Sequence, residues 1–212
     1  EVIHGDTAFA PYGLGTYGSR SLAVGGTAVH LAATKLRDKA QLVAAQMLEA
    51  SPDDIDIDGA KYFVRGSPDK SKTIQEIAFA LDLAFDTPEG MEPYLDETAY
   101  HDTPNCTFPF GTHIAIVEID EETGAVDLVR YVAVDDVGKK INPLIVDGQL
   151  HGGIAQGVGQ ALWEQAVYGE DGQLLSGSML DYALPRAAWL PNIELDETVT
   201  PSPVNPIGSR AS

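Results

Sequence analysis

The sequence predicts an α+β fold in which long helices pack on antiparallel hairpins, and three observations lead to this prediction. Two long stretches repeat apolar residues at three- and four-residue steps, as one face of a helix does. Shorter stretches alternate apolar and polar residues on both sides of glycine-containing turns, which is typical of β-hairpins. Helices and strands do not alternate regularly, so a parallel α/β sheet is disfavoured.

The first half of the chain contains one long helix, a shorter helix and a hairpin. Ser21 directly precedes the first helix and is a good N-cap residue, and Ser71 or Thr73 can start the second. Proline and acidic residues then indicate a long loop. In chain order we expect a strand that runs into a loop at 1–7, a glycine-rich loop at 8–20, a helix at 22–50, a hairpin at 55–58 and 61–65, a helix ending near Ala84, and a loop at 86–110.

The second half is expected to form a hairpin followed by a glycine-rich helix. Residues 112–119 and 125–135 alternate around an acidic turn that ends in Gly124. The further elements expected are a helix at about 144–165, a short hairpin at 167–168 and 173–175, and a strand near 193–195. We divide the chain into two α+β subdomains, residues 1–110 and 111–212.

Charge and composition exclude several classes of function. The 212 residues carry 13 basic and 32 acidic side chains, and the net charge of −19 disfavours nucleic acids and anionic membranes as partners. Cys106 is the only cysteine, so neither an internal disulfide nor an iron–sulfur cluster is expected. No apolar run approaches the roughly 18 residues of a membrane helix, and no signal peptide or initiator methionine opens the chain. We expect a cytoplasmic protein whose residue 1 lies inside a longer polypeptide.

The loop that enters the first helix is a candidate phosphate site. Residues 13–21 have the sequence GLGTYGSRS. A glycine loop exposes backbone N–H groups at a helix N-terminus, Ser19 and Ser21 supply hydroxyls, and the planar guanidinium of Arg20 matches phosphate. The sequence is neither GxxxxGK[ST] nor GxGxxG, so mononucleotide or nicotinamide binding is not indicated. An ordinary loop with an N-cap explains the same residues.

A second candidate site is the loop at 135–143, which leads into the glycine-rich helix. Gln149 lies early in that helix and can donate and accept hydrogen bonds toward a pterin edge or an oxo ligand. Asp6, Asp135 and Asp136 lie at predicted strand ends beside the two loops, where a carboxylate can accept from a pterin or nucleobase N–H. The alternative is that the glycines only let backbone segments approach closely.

Other kinds of catalytic site are not indicated. The five histidines show neither HxH nor HExxH spacing, so a histidine-bound metal is not expected. Ser19 has no Ser/His/Asp context, and Cys106 has no adjacent histidine, so nucleophilic catalysis is not expected either.

Seven segments resemble, in order, signature stretches of the molybdopterin-binding large subunit of the xanthine dehydrogenase, aldehyde oxidase and aerobic CO dehydrogenase family. Together they span essentially the whole chain, and their shared order is more specific than any single segment. The segments are HGDT (4–7), PYGLGTYGSRS (11–21), FPFGTHIAIVEID (108–120), VDDVGKKINP (134–143), GQLHGGIAQGVGQAL (148–162), MLDYALPRA (179–187) and TPSPVNPIG (200–208).

The resemblance implies a fragment from the C-terminal portion of such a subunit, with the fold of its molybdopterin-binding domain. The implied cofactor is molybdenum held by molybdopterin, as the cytosine dinucleotide. The implied reaction is oxidative hydroxylation of an aldehyde, an N-heterocycle or CO, with oxygen from water and electrons passing to [2Fe–2S] and FAD. The implied partners are an iron–sulfur small subunit and an FAD medium subunit, in a dimer of heterotrimers.

Position by position, the resemblance implies two cofactor-contacting stretches, a glutamine near the metal and no protein ligand to the metal itself. Val137 stands where some relatives have cysteine. The cofactor-binding residues expected from the resemblance are Asp6, Thr7, Thr16, Tyr17, Gly18, Ser19, Arg20, Ser21, Asp136, Val137, Gly138, Ile141, Asn142 and Gln149.

The resemblance also implies that the catalytic glutamate falls outside this sequence. The family pattern NPxGxKGxGEAG fits residues 205–210, Ala211 replaces a glycine, and the glutamate is expected two positions past Ser212. We therefore expect no catalytic residue in the chain and no turnover by the chain alone. Two alternatives stay open: a folded non-catalytic fragment or module without cofactor, and an unrelated nucleotide-binding protein that shares the glycine loop.

Overall fold

The computed structural model describes residues 3–9, 13, 15–84, 87–88 and 90–210, and it confirms the predicted α+β fold. The chain forms two compact units. One consists of residues 24–102, and the other combines residues 1–23 with residues 103–212. The predicted division at residue 110 has different bounds, because it assigns the N-terminal loop to the first half of the chain. The role of the two halves as molybdopterin-binding subdomains stays a prediction.

The long helix α1 (Thr27–Met47) starts later than the sequence predicts. A π-helical turn, Leu22–Gly26, precedes it. The hydroxyl oxygen of Ser21, the predicted cap, lies 2.5 Å from the hydroxyl oxygen of Thr16. Ser21 therefore ties the preceding loop together instead of capping α1.

The core of the 24–102 unit lies against the C-terminal half of α1. The apolar face predicted for the whole helix is buried only there, since Val43 is 2% exposed whereas Val29 is 69% exposed. The buried residues of this core are Ala40, Val43, Ala44, Ala45, Leu48, Ile55, Tyr62, Ile77 and Leu81.

A three-stranded antiparallel sheet and a short helix complete this unit. Strands β1 (Ile55–Asp58) and β2 (Lys61–Val64) form the predicted hairpin. A third strand, β3 (Ser67–Thr73), pairs with β2 and escapes prediction because SPDKSKT is polar without alternation. Helix α2 (Ile74–Leu83) follows, and Thr73 caps it in a reciprocal capping box with Glu76. Thr73 is therefore the correct one of the two predicted starts.

The other unit contains a mixed sheet and the glycine-rich helix. Strands β4 (Phe110–Ile119) and β5 (Val126–Asp136) form the second predicted hairpin. Strand β6 (Ile193–Glu197) pairs with β5 in parallel, a pairing the sequence does not predict. Helix α3 (Pro143–Leu162) lies between β5 and β6 in the chain and belongs to the long connection that a parallel pair needs.

The core of this unit is small. Ala133 of β5 is fully buried and packs with Ile154 and Val158 of α3. Near the end of α3, the rings of Trp163 and Trp189 lie 5.1 Å apart between centroids. Both tryptophans of the chain therefore report on this unit.

Two shorter predictions have opposite outcomes. The hairpin near residue 170 is confirmed as an isolated bridge between Tyr168 and Leu174. The prediction of a strand that runs into a loop at 1–7 holds only for the loop, since residues 3–7 contain no strand, while residues 1–2 lie outside the described residues. Gly5 has a φ of +70° and the Asp6 carboxylate accepts from the Ala8 N–H at 2.9 Å, so the backbone turns there.

Across the described residues, no helix combines the length and apolarity needed to cross a membrane.

Candidate functional site

A cavity of about 440 Å³ lies within the unit formed by residues 1–23 and 103–212. Its volume is in the usual range of small-molecule sites, about 300–1,000 Å³, and most of the surface of its lining is apolar, as in such sites generally. We call it the loop cavity, because four short segments of chain meet around it. Its described lining residues are Ser19, Ser21, Leu22, Val137, Lys139, Lys140, Ile141, Asn142, Ile145, Val146, Gln149, Ser209 and Arg210.

The charged side chains that line the loop cavity are all basic. Lys139, Lys140 and Arg210 line it, and its described lining includes no aspartate or glutamate, although the chain has a net charge of −19. The hydrogen bond from Lys140 to Glu197, outweighing the opposing effect of burial, raises the pKa of Lys140. Asp147 and Glu197 offset the charge of Lys140, and the Asp136 carboxylate lies 4.0 Å from Arg210. Among the described residues Lys139 has no ion pair, so it leaves the lining with a positive charge that suits an anionic ligand.

One face of α3 supplies four of the lining residues. Asn142, Ile145, Val146 and Gln149 follow one another at three- and four-residue steps, so they lie on one side of the first two helical turns. Asn142 is the N-cap, and its side-chain oxygen accepts from the Ile145 N–H at 3.4 Å. The positive end of the helix dipole therefore adds to the cationic lining.

Asp136 holds the turn at the end of β5 and is not among the described lining residues. Its carboxylate is fully buried and accepts from the Gly138 N–H at 2.9 Å and from the Thr198 hydroxyl at 3.1 Å. Burial raises the pKa of this carboxyl, but hydrogen bonds from Thr200, Gly138 and Thr198 together outweigh burial and lower the pKa to about 2. Asp136 is thus charged at neutral pH and engaged inside the protein.

The turn after β5 pairs with the segment near residue 209. Gly138 bridges to Ser209, and the Arg210 N–H donates to the Val137 carbonyl at 2.7 Å. Gly138 has a φ of +68°, and a Cβ at this position would collide with the carbonyl oxygen of Gly208. Only glycine permits both the left-handed turn and this close approach.

The side chain of Asn205 holds the segment near residue 209 in place through hydrogen bonds. Its side-chain oxygen accepts from the N–H groups of Gly208 at 2.9 Å and Ser209 at 3.2 Å, and its amide donates to the Ser209 carbonyl at 2.9 Å. Asn205 is 6% exposed, so these bonds are protected from water. The backbone of Ser209 is thereby held in one position at the wall of the loop cavity.

Arg210 is anchored beside this wall. Its guanidinium donates to the carbonyls of Thr200 at 2.8 Å and Phe108 at 2.9 Å, and its Nε lies 4.0 Å from the buried Asp136 carboxylate. The Arg210 side chain is 16% exposed. A fixed, partly buried guanidinium provides a stable positive charge at the cavity.

The structure brings part of the predicted cofactor-binding set to the loop cavity. Gly138 shapes the turn beside it without lining it, and Asp136 supports that turn. The predicted residues that line the cavity are Ser19, Ser21, Val137, Ile141, Asn142 and Gln149.

The remaining predicted residues lie outside the described lining. The Arg20 guanidinium donates to the Gly15 carbonyl at 2.8 Å and to the Tyr17 hydroxyl at 3.0 Å, so it closes its own loop. Thr16 and Gly18 belong to the same loop. Asp6 and Thr7 are exposed in a separate turn. The binding role of all these residues stays a prediction.

The histidines fall in other places. His113 on β4 lies between Tyr131, whose hydroxyl oxygen is 3.1 Å from Nδ1, and Asp135, whose carboxylate oxygen is 3.0 Å from Nε2. Nδ1 of His151 lies 2.7 Å from the Asp147 carbonyl oxygen, one turn back on α3. Within the described residues, no group of three histidine, cysteine, aspartate or glutamate side chains could hold a metal ion.

Seven lining residues were not predicted as site residues, and four of them are polar or charged. Lys139 and Lys140 lie inside a segment that was selected for its glycine and asparagine, and adjacent lysines in so acidic a chain were the available signal. Ser209 and Arg210 lie in a segment that sequence reasoning used only to locate a missing glutamate. Their approach to the β5 turn is a tertiary contact between residues about 70 positions apart, and local patterns do not encode it.

The turn after β5 and the segment near residue 209 thus pair beside one cavity with basic lining residues. The chain that contains them is clearly similar to known proteins. A family model described as "Molybdopterin cofactor-binding domain" matches residues 1–191. The chain belongs to this family. The chain is also 45% identical, over 210 residues, to the carbon monoxide dehydrogenase large chain of Hydrogenophaga pseudoflava, covering 99% of this chain and 26% of that relative.

Two solved structures extend the similarity to three dimensions. Reconstituted CO dehydrogenase from Oligotropha carboxidovorans matches with a TM-score of 0.87 and 44% identity, over 97% of this chain and 25% of that one. Quinoline 2-oxidoreductase from Pseudomonas putida 86 matches with a TM-score of 0.83 and 38% identity, over 94% of this chain and 26% of that one. The chain thus spans about a quarter of the length of these relatives. The comparisons confirm the predicted family and fold; they do not confirm the placement in the C-terminal portion.

Proposed function

We propose that the loop cavity holds part of a molybdenum–molybdopterin cofactor in its cytosine dinucleotide form, and that the chain serves a molybdenum-dependent oxidoreductase. The observation that carries the proposal is that three basic and no described acidic side chains line a cavity in a chain of net charge −19. Two of them are ion-paired with acids outside the lining, and Lys139 has no ion pair among the described residues. A dinucleotide carries a diphosphate, which is an anion at neutral pH. A cationic recess is the kind of site that binds it.

The polar groups of the cavity also fit such a ligand. Ser19 and Ser21 supply hydroxyls that can donate to phosphate oxygens, and Lys139 supplies an ammonium. The amides of Asn142 and Gln149 can donate and accept, as a pterin or cytosine edge requires. Apolar side chains between these groups exclude water from flat ring surfaces.

The chemistry of each residue in or beside the cavity defines its role in binding this ligand. Lys139 and Arg210 offset the negative charge of the ligand, and Asn142 orients the start of α3 toward it. Asp136 keeps the turn that presents Val137 and Lys139 in one conformation. When bound, the cofactor supplies the redox chemistry of hydroxylation with oxygen from water, which the side chains of this chain cannot supply themselves.

The activity of the whole protein is part of the same proposal. We propose oxidative hydroxylation of an aldehyde, an N-heterocycle or CO, with electrons passing to [2Fe–2S] and FAD groups on an iron–sulfur and an FAD subunit in a cytoplasmic dimer of heterotrimers. Support comes from the relatives named carbon monoxide dehydrogenase and quinoline 2-oxidoreductase. Cys106, the only cysteine, cannot by itself hold an iron–sulfur cluster, so such clusters need another chain or segment.

The experiment is to produce the chain in a host that makes the molybdenum cofactor, and to measure molybdenum, pterin fluorescence and acid-released cytidine monophosphate per chain. We expect all three in the wild-type chain. Gln149→Ala removes one neutral hydrogen-bonding group, and we expect about 3- to 10-fold lower occupancy at limiting cofactor. Gln156→Ala is the matched control, because Gln156 is exposed on the same helix and outside the described lining.

The outcomes separate the proposal from its main alternative. A folded chain without molybdenum, pterin or cytidine nucleotide would favour a module that binds no cofactor. Equal cofactor occupancy in Gln149→Ala and Gln156→Ala would contradict the assignment of the cofactor to the loop cavity. Pterin without cytidine monophosphate would contradict the dinucleotide form.

A further inference from the structure

A second cavity, of about 940 Å³, lies within the unit formed by residues 24–102. One face of α1, from Lys35 to Gln46 at three- and four-residue steps, forms much of its wall, so we call it the α1 groove. It shares no described lining residue with the loop cavity, and most of the surface of its lining is apolar. The α1 groove is therefore a candidate ligand site of its own.

The lining of the α1 groove includes a buried lysine, Lys39. Its side chain is 9% exposed, and its Nζ lies 3.9 Å from Oε1 of Glu97, beyond hydrogen-bonding distance. Among the described residues, Glu97 is the only polar partner of this ammonium group. The described polar atoms that have neither a partner nor accessible surface do not include Nζ of Lys39, so it remains accessible. A buried ammonium without hydrogen bonds is costly, and its three N–H donors can take an acceptor from a ligand.

A second lysine adds positive charge to this face of α1. Lys35 lies four residues before Lys39, and side chains at this spacing are neighbours on a helix. The Lys35 ammonium donates to the Thr98 carbonyl at 3.2 Å, which holds it at the groove and leaves it further N–H donors. Both lysines attract an anionic group, and Lys39 does so from a buried position.

The acidic side chains of the groove limit the charge that a ligand can carry. Asp38, Glu92 and Glu97 line the groove together with the two lysines. The Asp38 carboxylate lies 3.0 Å from an Arg37 nitrogen, so its charge is offset by a residue outside the described lining. With the two other acids present, a single carboxylate can pair with the buried lysine, whereas a phosphate with about two negative charges is repelled more strongly.

Apolar side chains extend the groove beyond Lys39. Leu42, three residues further along α1, is 46% exposed, and Met91 packs partly buried against the core of the unit. Covering this surface removes it from water, which favours a ligand with an apolar body. A ligand that fits both parts of the groove has one carboxylate and a hydrocarbon chain or ring.

We propose that the α1 groove binds a monocarboxylate with an apolar body, whose carboxylate accepts from the Lys39 ammonium and whose hydrocarbon covers Leu42 and Met91. A medium-chain fatty acid has this chemistry. The proposal does not depend on the cofactor proposed for the loop cavity, because the two sites share no described lining residue. Bound ligand then supplies the hydrogen bond that the buried ammonium lacks among the described residues.

The test measures, by calorimetry on the full 212-residue chain, the affinity for octanoate, 1-octanol and octyl phosphate. The three probes share a hydrocarbon chain and differ in the charge of the head group. Octanoate should bind at least about 10-fold more tightly than either of the others, as expected for a hydrogen bond between two charged groups.

Lys39→Met keeps the apolar stem of the side chain but removes its charge. It should weaken octanoate binding by about 10-fold or more and leave 1-octanol binding unchanged. Lys70→Met is the matched control, because Lys70 is exposed on β3 and lies outside the described lining. It should bind all three probes as the wild-type chain does.

A second pair of variants tests the apolar part of the groove. Leu42→Ser should weaken octanoate and 1-octanol alike, by about 3- to 10-fold, because it removes hydrocarbon contact. Leu83→Ser is the control, since Leu83 on α2 is 47% exposed but lies outside the described lining. Equal octanoate affinities in the two serine variants would contradict the placement of the hydrocarbon.

The measurements on the wild-type chain decide the proposal even if a variant does not fold. The proposal is overturned if octanoate does not bind, or if 1-octanol or octyl phosphate binds as tightly as octanoate. Unchanged octanoate affinity in folded Lys39→Met would also overturn it, since the carboxylate would then have another partner. A preference for octanoate that disappears in Lys39→Met and persists in Lys70→Met supports it.

Discussion

Replacing Asp136 by asparagine should destabilise the unit formed by residues 1–23 and 103–212. The native carboxylate is fully buried, and it accepts hydrogen bonds from Gly138 and Thr198. Asparagine keeps the shape but removes the charge, and it turns one acceptor atom into a donor that faces other donors. The nearby Arg210, whose Nε lies 4.0 Å away, also loses its buried counter-charge.

The size of the effect follows from the pKa. The pKa falls from its ordinary value of 3.8 to about 2, and one pKa unit corresponds to about 1.4 kcal/mol, so the charged form contributes about 2 kcal/mol to folding. For a protein of this size, 1 kcal/mol shifts the melting temperature by about 2–4 °C, so Asp136→Asn should melt about 4–8 °C lower at pH 7.

The dependence of the folding stability on pH tests the sign of this effect separately. Because the folded pKa lies below the unfolded pKa, the stabilisation is fully present above about pH 5 and is lost as the pH falls through 4 toward 2. The difference between wild-type and Asp136→Asn chains should therefore shrink over this range. The assay is unfolding followed by tryptophan fluorescence, since both Trp163 and Trp189 lie in this unit.

Asp127→Asn is the matched control, because Asp127 lies exposed on the same strand, β5. We expect it to change the melting temperature by less than about 2 °C. The reasoning is refuted if Asp136→Asn melts within 1 °C or so of wild type at pH 7, or if its deficit is as large at pH 2 as at pH 7.

Two further predictions concern the scaffold. Gly138→Ala should destabilise the same unit by several degrees more than Gly172→Ala, because both glycines have positive φ but only at Gly138 does a Cβ collide with the Gly208 carbonyl; equal melting temperatures by tryptophan fluorescence would contradict the close approach. Thr73→Ala should cost about 1 kcal/mol by removing the cap of α2, while Thr73→Ser should restore most of it, as urea unfolding followed by circular dichroism will show; an alanine variant as stable as the serine variant would contradict the capping box.

Local sequence patterns predicted most of the regular structure. The hairpins at β1–β2 and β4–β5 and the helix α3 follow directly from residue alternation and helical periodicity. The N-cap of α2 follows from a threonine with a glutamate three residues later. These elements are predictable because each depends on contacts between residues close together in the chain.

The errors occur where a contact outside the short pattern overrides local preference. Ser21 has the chemistry of an N-cap, but its hydroxyl is used by Thr16 and α1 begins after a π-helical turn. The polar strand β3 forms because β2 offers it a backbone partner. Strand β6 joins β5 in parallel from about 60 residues away, and no short pattern encodes such a partner.

The sequence by itself determined the fold class, the family and one half of the loop cavity, because family segments and periodic patterns are local features of the chain. Only the tertiary structure decided which groups face a ligand. It turned Asp136 from an expected ligand acceptor into a buried support, and it brought Ser209 and Arg210 to the cavity wall. The physical reason is that burial and charge at a site depend on what packs beside each residue, and in this unit the packing partner lies about 70 residues away.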